Sequence, residues 1–131
     1  MCGIGGLLQQ PGISEGQEVL HKINHLQKKR GPDEADVFWE AAGDWQIGLA
    51  HTRLQVIDPQ GGRQPFRSRD GRFTLVFNGE IFNYLELAET LKQSGVQLKT
   101  TSDTEVLLEW LILNGREGLK DLSGMFAFAL W

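Results

Sequence analysis

The chain has a single cysteine among its 131 residues, and this scarcity excludes two classes of small protein. One cysteine cannot close an internal disulfide, and it cannot supply the thiolates of a structural zinc cluster. No apolar stretch reaches the ~18 residues that a membrane-spanning helix needs, and no charged-then-apolar leader opens the chain. With 13 basic and 17 acidic side chains, the net charge is −4. We therefore expect a cytoplasmic protein that binds neither membranes nor nucleic acids.

The composition predicts one globular domain, since 40% of the residues are hydrophobic and 23% are charged. The last seven residues, from Met125 to Trp131, form an uninterrupted apolar run, whereas chain ends are usually polar. We expect residues 1–131 to be one incomplete domain that lacks C-terminal strands. Exposed apolar faces would then favour self-association.

Hydrophobic periodicity predicts an α+β fold in which helices cover the faces of sheets. Ser14 and Gln17 predict a capping box at the start of the first helix, and Leu20 and Leu26 belong to its predicted buried face. The expected helices are Glu15–Lys29, Tyr84–Ser94 and Thr104–Asn114. The expected strands are Cys2–Leu8, Asp36–Glu40, Trp45–His51, Phe73–Phe77 and the C-terminal run.

The position of Cys2 directly behind Met1 predicts an N-terminal nucleophile. Removal of Met1 would leave one residue with both a thiol and a free α-amine, and an α-amine is partly unprotonated near neutral pH. Nucleophile and base would then lie on the same residue, and Gly3 would let a substrate approach the backbone. The alternative is that Cys2 is a small buried hydrophobic residue, the usual fate of a lone free cysteine.

Asn78 and Gly79 follow the predicted strand Phe73–Phe77 and offer two hydrogen-bond donors. The Asn78 side-chain amide and the Gly79 backbone N–H could stabilise an oxyanion. The alternative interpretation is structural, because Asn-Gly is also a common tight turn.

Three charged residues are candidates for binding an amino acid. The planar guanidinium of Arg53 suits a carboxylate, and Glu80 and Asp103 together suit an ammonium group. A surface ion pair is the alternative for Arg53, and a helix N-cap is the alternative for Asp103. With Cys2 as the nucleophile, this pattern points to a zwitterionic substrate with a side-chain amide, glutamine or asparagine.

The three histidines are not predicted to form a metal site. His51 is expected to pack or to form hydrogen bonds, because an α-amine base makes a Cys–His pair unnecessary. His21 and His25 are spaced as zinc ligands on one helix, but two ligands are too few. No metal is therefore predicted for this domain.

Six motifs in fixed order carry a family resemblance: MCGIGG at 1–6, RGPD at 30–33, HTRLQVID at 51–58, FNGEIFNY at 77–84, SDTEV at 102–106 and GMFAFAL at 124–130. The sequence resembles the N-terminal glutaminase domain of glutamine-hydrolysing asparagine synthetases, which are class II glutamine amidotransferases. The resemblance covers essentially the whole chain. It implies a four-layer α/β/β/α sandwich of the N-terminal nucleophile hydrolase type.

The resemblance also implies residue roles. Cys2 would attack the glutamine side-chain amide to form a thioester, and Asn78 and Gly79 would form the oxyanion hole. Arg53 would bind the substrate carboxylate, Glu80 and Asp103 would bind its ammonium group, and the backbone of Val56 and Ile57 would line the pocket. The loop at 30–33 would lie near the N-terminus without direct chemistry.

Two departures from the family bear on activity: the C-terminal strands are expected to be missing, and a pyrophosphate-binding loop is absent from this sequence. The chain has no Ser-Gly-Gly-x-Asp-Ser loop for pyrophosphate, so ATP and Mg²⁺ would belong to a synthetase domain outside these residues. That partner domain would amidate aspartate, or another carboxylate, with the ammonia released here. The alternative function is an inactive fragment that only binds an amino acid or mediates contacts, which retention of Met1 would favour.

Overall fold

The computed structural model describes residues 1–13, 15–56, 58 and 61–131. Three α-helices and six strands lie in this part of the chain, together with a 3-10 helix at Gly115–Asp121. The helices are α1 (Gly16–Gln27), α2 (Tyr84–Gln93) and α3 (Asp103–Asn114). The strands are β1 (Gly3–Gln9), β2 (Glu34–Ala42), β3 (Trp45–Arg53), β4 (Phe66–Arg67), β5 (Thr74–Ile81) and β6 (Gly124–Leu130).

The first sheet has the order β1-β3-β2, and all its strands are antiparallel. β2 and β3 form a hairpin whose last pair is Ala42 with Trp45, and Gly43 supplies the positive φ of 58° that the turn requires. β3 is buried almost throughout because β1 and β2 flank it and α1 covers one face. Helix α1 therefore forms the outer layer over this sheet.

The second sheet has the order β4-β5-β6, also antiparallel. One face of β5 packs on α2 and α3, where most of the apolar core lies. The fully buried members of this core are Leu75, Ile81, Leu91, Val106, Leu107 and Leu108.

The two sheets lie face to face, because β1 and β3 both contact β5. The order of layers is α1, first sheet, second sheet, then α2 with α3. The expectation of a four-layer α/β/β/α sandwich is confirmed. No helix in the described ranges is long and apolar enough to cross a membrane.

Several local predictions were wrong. Asn78 and Gly79 do not form a tight turn, because β5 continues through them and pairs with β6 as far as Ile81. The N-cap of α3 is Ser102, whose side chain accepts a hydrogen bond from Thr104 N, so the N-cap alternative for Asp103 fails.

The predictions for α1 also needed correction. Leu26 is 81% exposed, whereas Asn24 is buried and donates to the Asp36 carbonyl. The N-cap position of α1 is Glu15, with no side-chain cap. Ser14, the first member of the predicted capping box, lies outside the described residues.

Candidate active site

A cavity of about 260 Å³ lies where the two sheets meet the start of α3. On one side the cavity is lined by the N-terminus and by the end of β3, which belongs to the first sheet. On the other side it is lined by the middle of β5, which belongs to the second sheet. All the predicted site residues that the structure describes line this cavity: Cys2, Arg53, Val56, Asn78, Gly79, Glu80 and Asp103. Ile57 lies outside the described residues. These seven residues are thus close together in space, although up to about a hundred positions separate them in the sequence.

Cys2 lies one residue before β1, whose first pair is Gly3 with Thr52. Its sulfur accepts a hydrogen bond from Leu54 N at 3.4 Å and lies 3.7 Å from the Leu54 carbonyl oxygen. Its own carbonyl accepts from Arg30 Nε at 3.1 Å, as expected of a 30–33 loop beside the N-terminus. Cys2 is only partly buried, so the alternative of a fully buried hydrophobic residue does not describe it.

Met1 also lines the cavity and is 71% exposed. With Met1 in place, the Cys2 nitrogen is an amide and cannot act as a base. Loss of Met1 would convert it to an amine at the same place in the cavity.

Asn78 and Glu80 lie two residues apart in β5 and therefore point to the same face of the second sheet. The Asn78 Oδ1 atom is buried and has no hydrogen-bond partner in the described part of the chain. Such an unpaired buried polar atom is uncommon. This atom is the acceptor of the Asn78 side-chain amide, whereas the group that could donate to an oxyanion is the Nδ2 atom of the same amide.

Gly79 adopts a φ of 153°, a conformation that side chains disfavour. A Cβ at this position would collide with the Met125 carbonyl oxygen and lie 2.6 Å from Phe126 Cα. Gly79 is therefore required by the close approach of β6, and its backbone stays accessible from the cavity.

Arg53 is 3% exposed and does not form the surface ion pair that was its alternative interpretation. Its Nη1 atom donates to Glu34 at 3.0 Å, and its Nη2 atom donates to the Asp58 carbonyl at 2.7 Å. Glu34 also accepts from the exposed Arg63. These contacts fix the plane of the Arg53 guanidinium at the cavity wall.

Asp103 is buried and accepts a hydrogen bond from Ile81 N at 3.4 Å. Burial raises its pKa above the ordinary value, and the negative charge of Glu80 raises it further. Both carboxyl groups line the same cavity. A cation between them would relieve the repulsion, so the pair is arranged to accept an ammonium group.

His51 is buried with its Nε2 atom 3.2 Å from the Phe77 carbonyl oxygen, which matches the predicted packing role. His21 and His25 are exposed on α1. Among the described residues, no group of three or more His, Cys, Asp or Glu side chains is placed to hold a metal ion.

Sequence reasoning missed several residues that line the cavity: Leu54, Gly62, Gln64, Ser102, Thr104 and Met125. Ser102 and Thr104 flank Asp103, so their proximity could have been inferred. Gln64 had no such signal, because it lies in a loop and reaches β5 only through the tertiary fold.

The fold agrees with the comparisons with known proteins. The chain belongs to the glutamine amidotransferase domain family, whose model matches residues 1–131. The solved structure of a glutamine phosphoribosylpyrophosphate amidotransferase from Bacillus subtilis superposes with a TM-score of 0.67 and 21% identity, covering 100% of this chain and 35% of that one. At this identity the likeness shows the fold.

Curated relatives of this chain include glutamine-hydrolysing asparagine synthetases. Synthetase 1 of Bacillus subtilis is 37% identical over 134 residues, and synthetase B of Escherichia coli is 36% identical over 132 residues. Each alignment covers 100% of this chain but only 21% and 23% of the respective relatives. The chain thus spans about a fifth of their length.

Proposed function

We propose that these residues form a glutaminase domain in which Cys2 releases ammonia from the side-chain amide of glutamine. The observation that carries the proposal is one cavity that brings together the lone thiol, the side-chain amide of Asn78, the cation of Arg53 and the carboxyl group of Asp103. A zwitterionic amino acid with a side-chain amide matches these groups in charge and in chemistry.

The reaction begins once Met1 has been removed. The α-amine of Cys2 takes the thiol proton, and the sulfur attacks the amide carbon of glutamine. Asn78 Nδ2 and the Gly79 N–H stabilise the oxyanion of the tetrahedral intermediate. The amine then returns the proton to the leaving nitrogen, the C–N bond breaks, and ammonia departs.

The second half of the reaction hydrolyses the resulting thioester. Water, deprotonated by the same amine, attacks the acyl carbon, and the C–S bond breaks to give glutamate and the free thiol. Arg53 holds the α-carboxylate throughout, while Glu80 and Asp103 hold the α-ammonium group. The backbone near Val56 and Ile57 borders the substrate.

The ammonia acceptor is proposed from the relatives. By analogy with asparagine synthetases, the whole protein would use ATP and Mg²⁺ in a separate synthetase domain to amidate aspartate. Residues 1–131 would then be the incomplete glutaminase part of a cytoplasmic enzyme. Another carboxylate acceptor is the alternative within the same family.

The test is ammonia release from glutamine by the whole protein, together with labelling by an electrophilic glutamine analogue. We expect the Met1-processed protein to release ammonia and to gain one adduct on Cys2, seen by intact and peptide mass spectrometry. The Cys2→Ala variant should lose both. Sustained hydrolysis by that variant, or an adduct elsewhere, would remove Cys2 from the mechanism.

A further inference from the structure

Two buried side chains outside the proposed catalytic and substrate-binding set, Gln64 and His51, hold the backbone of Phe77, the residue directly before Asn78. The Phe77 N–H donates to Gln64 Oε1 at 2.6 Å, and the Phe77 carbonyl lies 3.2 Å from His51 Nε2. Gln64 is 8% exposed and His51 is 1% exposed. Both contacts are therefore shielded from water, where losing a partner is costly.

The pairing of β5 with β6 shows why side chains are needed here. Thr74 and Trp131 exchange both backbone hydrogen bonds, so the even-numbered residues of β5 bond to β6 and the odd-numbered ones face the opposite edge. At that edge β4 pairs only with Thr74 and Leu75. In the register of β4, the position opposite Phe77 is Gln64, whose side chain replaces the missing strand.

The same row of β5 contains the N–H groups of Phe77, Gly79 and Ile81. The outer two are taken by side chains, Phe77 by Gln64 and Ile81 by Asp103. No side chain in the described ranges accepts from the Gly79 N–H, and Gly79 lines the cavity. The Gly79 N–H, between these two, is therefore left for a ligand. The N–H groups on both sides of it are held by side chains.

His51 connects this row to the nucleophile. It lies in β3, where it pairs with Ile4, two residues after Cys2. A carbonyl oxygen only accepts, so His51 Nε2 carries the proton in this hydrogen bond. Burial lowers the pKa of His51 to about 4, so at neutral pH the ring is the uncharged Nε2–H tautomer. The bond therefore joins the sheet that carries Cys2 to the strand that carries Asn78.

We propose that Gln64 and His51 are positioning residues for the oxyanion hole, because together they fix the Phe77 backbone and so set where Asn78 and Gly79 face Cys2. This inference rests on the proposed glutaminase function. It predicts that loosening Phe77 weakens transition-state stabilisation while the binding of the substrate's charged groups stays intact.

The test uses the whole protein with Gln64→Met, which keeps the length of the side chain and removes the acceptor. We expect kcat for glutamine hydrolysis to fall about tenfold, because donors that are held less accurately stabilise the oxyanion less, and KM to change by less than about threefold. The matched control is Gln9→Met. Gln9 is equally buried at 7% exposure, but it contacts Ile13 and Gln46 at the far end of β1, so kcat should not fall.

A double-mutant cycle distinguishes a positioning role of Gln64 from a general loss of active-site structure. In an Asn78→Ala background, Gln64→Met should cost less than about threefold, because one of the two donors that it positions is already gone and the effects are no longer additive. Full additivity of the two losses would overturn the proposal. If Gln64→Met does not fold, Thr104→Val replaces it, since it removes the other partner of Gln64, at 3.4 Å. The same cycle then decides the question.

Hydrogen exchange tests the inference independently of activity. Gln64→Met should accelerate exchange of the Phe77 amide and leave that of Val76, which bonds to β6, unchanged. Unaltered exchange at Phe77 would overturn the positioning role even if ammonia is released. Failure of the unsubstituted protein to release ammonia in a Cys2-dependent way would instead overturn the proposed function.

Discussion

Glu34 and the Asp58 carbonyl hold the guanidinium of Arg53 at the cavity wall. A lysine would keep the charge but could not donate to these partners and to a substrate carboxylate with the same planar geometry. We expect Arg53→Lys to raise KM for glutamine by about tenfold to a hundredfold, the value of a charge-assisted contact, with a smaller effect on kcat. Steady-state kinetics of ammonia release measures this.

Arg63 provides the matched control for Arg53. It donates to the same Glu34, but its side chain is 79% exposed. Arg63→Lys should leave KM nearly unchanged. Equal effects of the two substitutions would show that the charge of Glu34, rather than substrate contact, governs KM.

Gly79 is a residue for which even the smallest side chain is too large. We expect Gly79→Ala to abolish ammonia release and to destabilise the fold by about 1–3 kcal/mol, because the Cβ would meet β6 at a strained φ. Urea unfolding and the activity assay measure both effects. Gly43→Ala, at a turn with open space around it, should lower stability without loss of activity. Retained activity in Gly79→Ala would contradict the placement of this backbone.

His51 makes stability depend on pH. Its pKa is lowered to about 4, first by burial and then by the nearby Arg53, against the opposing effects of Phe77 and Glu34. Between pH 6.5 and 4 the unfolded chain is protonated at His51 while the folded chain is not, so stability falls as pH falls. The loss across this window is about 3 kcal/mol.

The variant His51→Gln should remove this part of the acid loss, because a glutamine amide can still donate to Phe77 but does not titrate. Urea unfolding at pH 7 and pH 4.5 measures the difference between variant and unsubstituted protein. Asp103 titrates with the opposite sign, but it is present in both proteins and cancels. His25→Gln, at an exposed position, is the control. An equal acid loss with and without His51 would contradict the prediction.

Residue types near the chemistry could be predicted from sequence, but their local geometry could not. Cys2 is marked by its position and Arg53 by its motif, and both lie in the cavity. Asn78 and Gly79 were ambiguous because Asn-Gly has a strong turn propensity. Pairing with β6, about fifty residues later in the chain, keeps them in a strand instead. Gln64 gave no signal at all, because its role depends on β4 beginning only at Phe66, two residues after it.

At the scale of elements, the helix α3 brings Asp103 into the cavity and depends on its N-cap. Ser102 Oγ accepts from Thr104 N at 3.1 Å, and this satisfies one free donor of the first turn. We expect Ser102→Ala to lower the free energy of unfolding by about 1 kcal/mol and to raise KM, because Asp103 follows the cap directly. Ser94→Ala, at the exposed end of α2, should leave KM unchanged. An unaltered KM in Ser102→Ala would separate the cap from substrate binding.

Most helices and strands could be predicted because each shows a hydrophobic periodicity or residues that end an element. The observed bounds differ from the predicted ones where tertiary contacts override local preference. β2 runs from Glu34 to Ala42, well beyond the predicted Asp36–Glu40, because its whole length pairs with β3. The short strand β4 was not predicted, since two residues carry no periodic pattern.

At the scale of the whole molecule, the site exists only because two sheets stack. Cys2 directly precedes the first sheet, Asn78 and Gly79 belong to the second, and Asp103 begins a helix on the far side of the second. The local sequence around each of these residues does not predict the distances between them. The family resemblance supplied that arrangement, and the stacking of β1 and β3 on β5 agrees with it.

The apolar strand β6 makes self-association of the 131-residue chain an expected property. In the described part of the chain β6 pairs only with β5, and its seven residues, GMFAFAL, include no charge and no proline that would discourage edge pairing. Phe126 is 37% exposed.

We expect the chain to form dimers or larger species at about 100 µM, measured by sedimentation equilibrium, and Phe126→Lys to shift it toward monomer. Leu85→Lys, at an exposed apolar residue of α2, should not. A monomeric unsubstituted chain, or equal effects of both lysines, would show that the edge of β6 does not drive association.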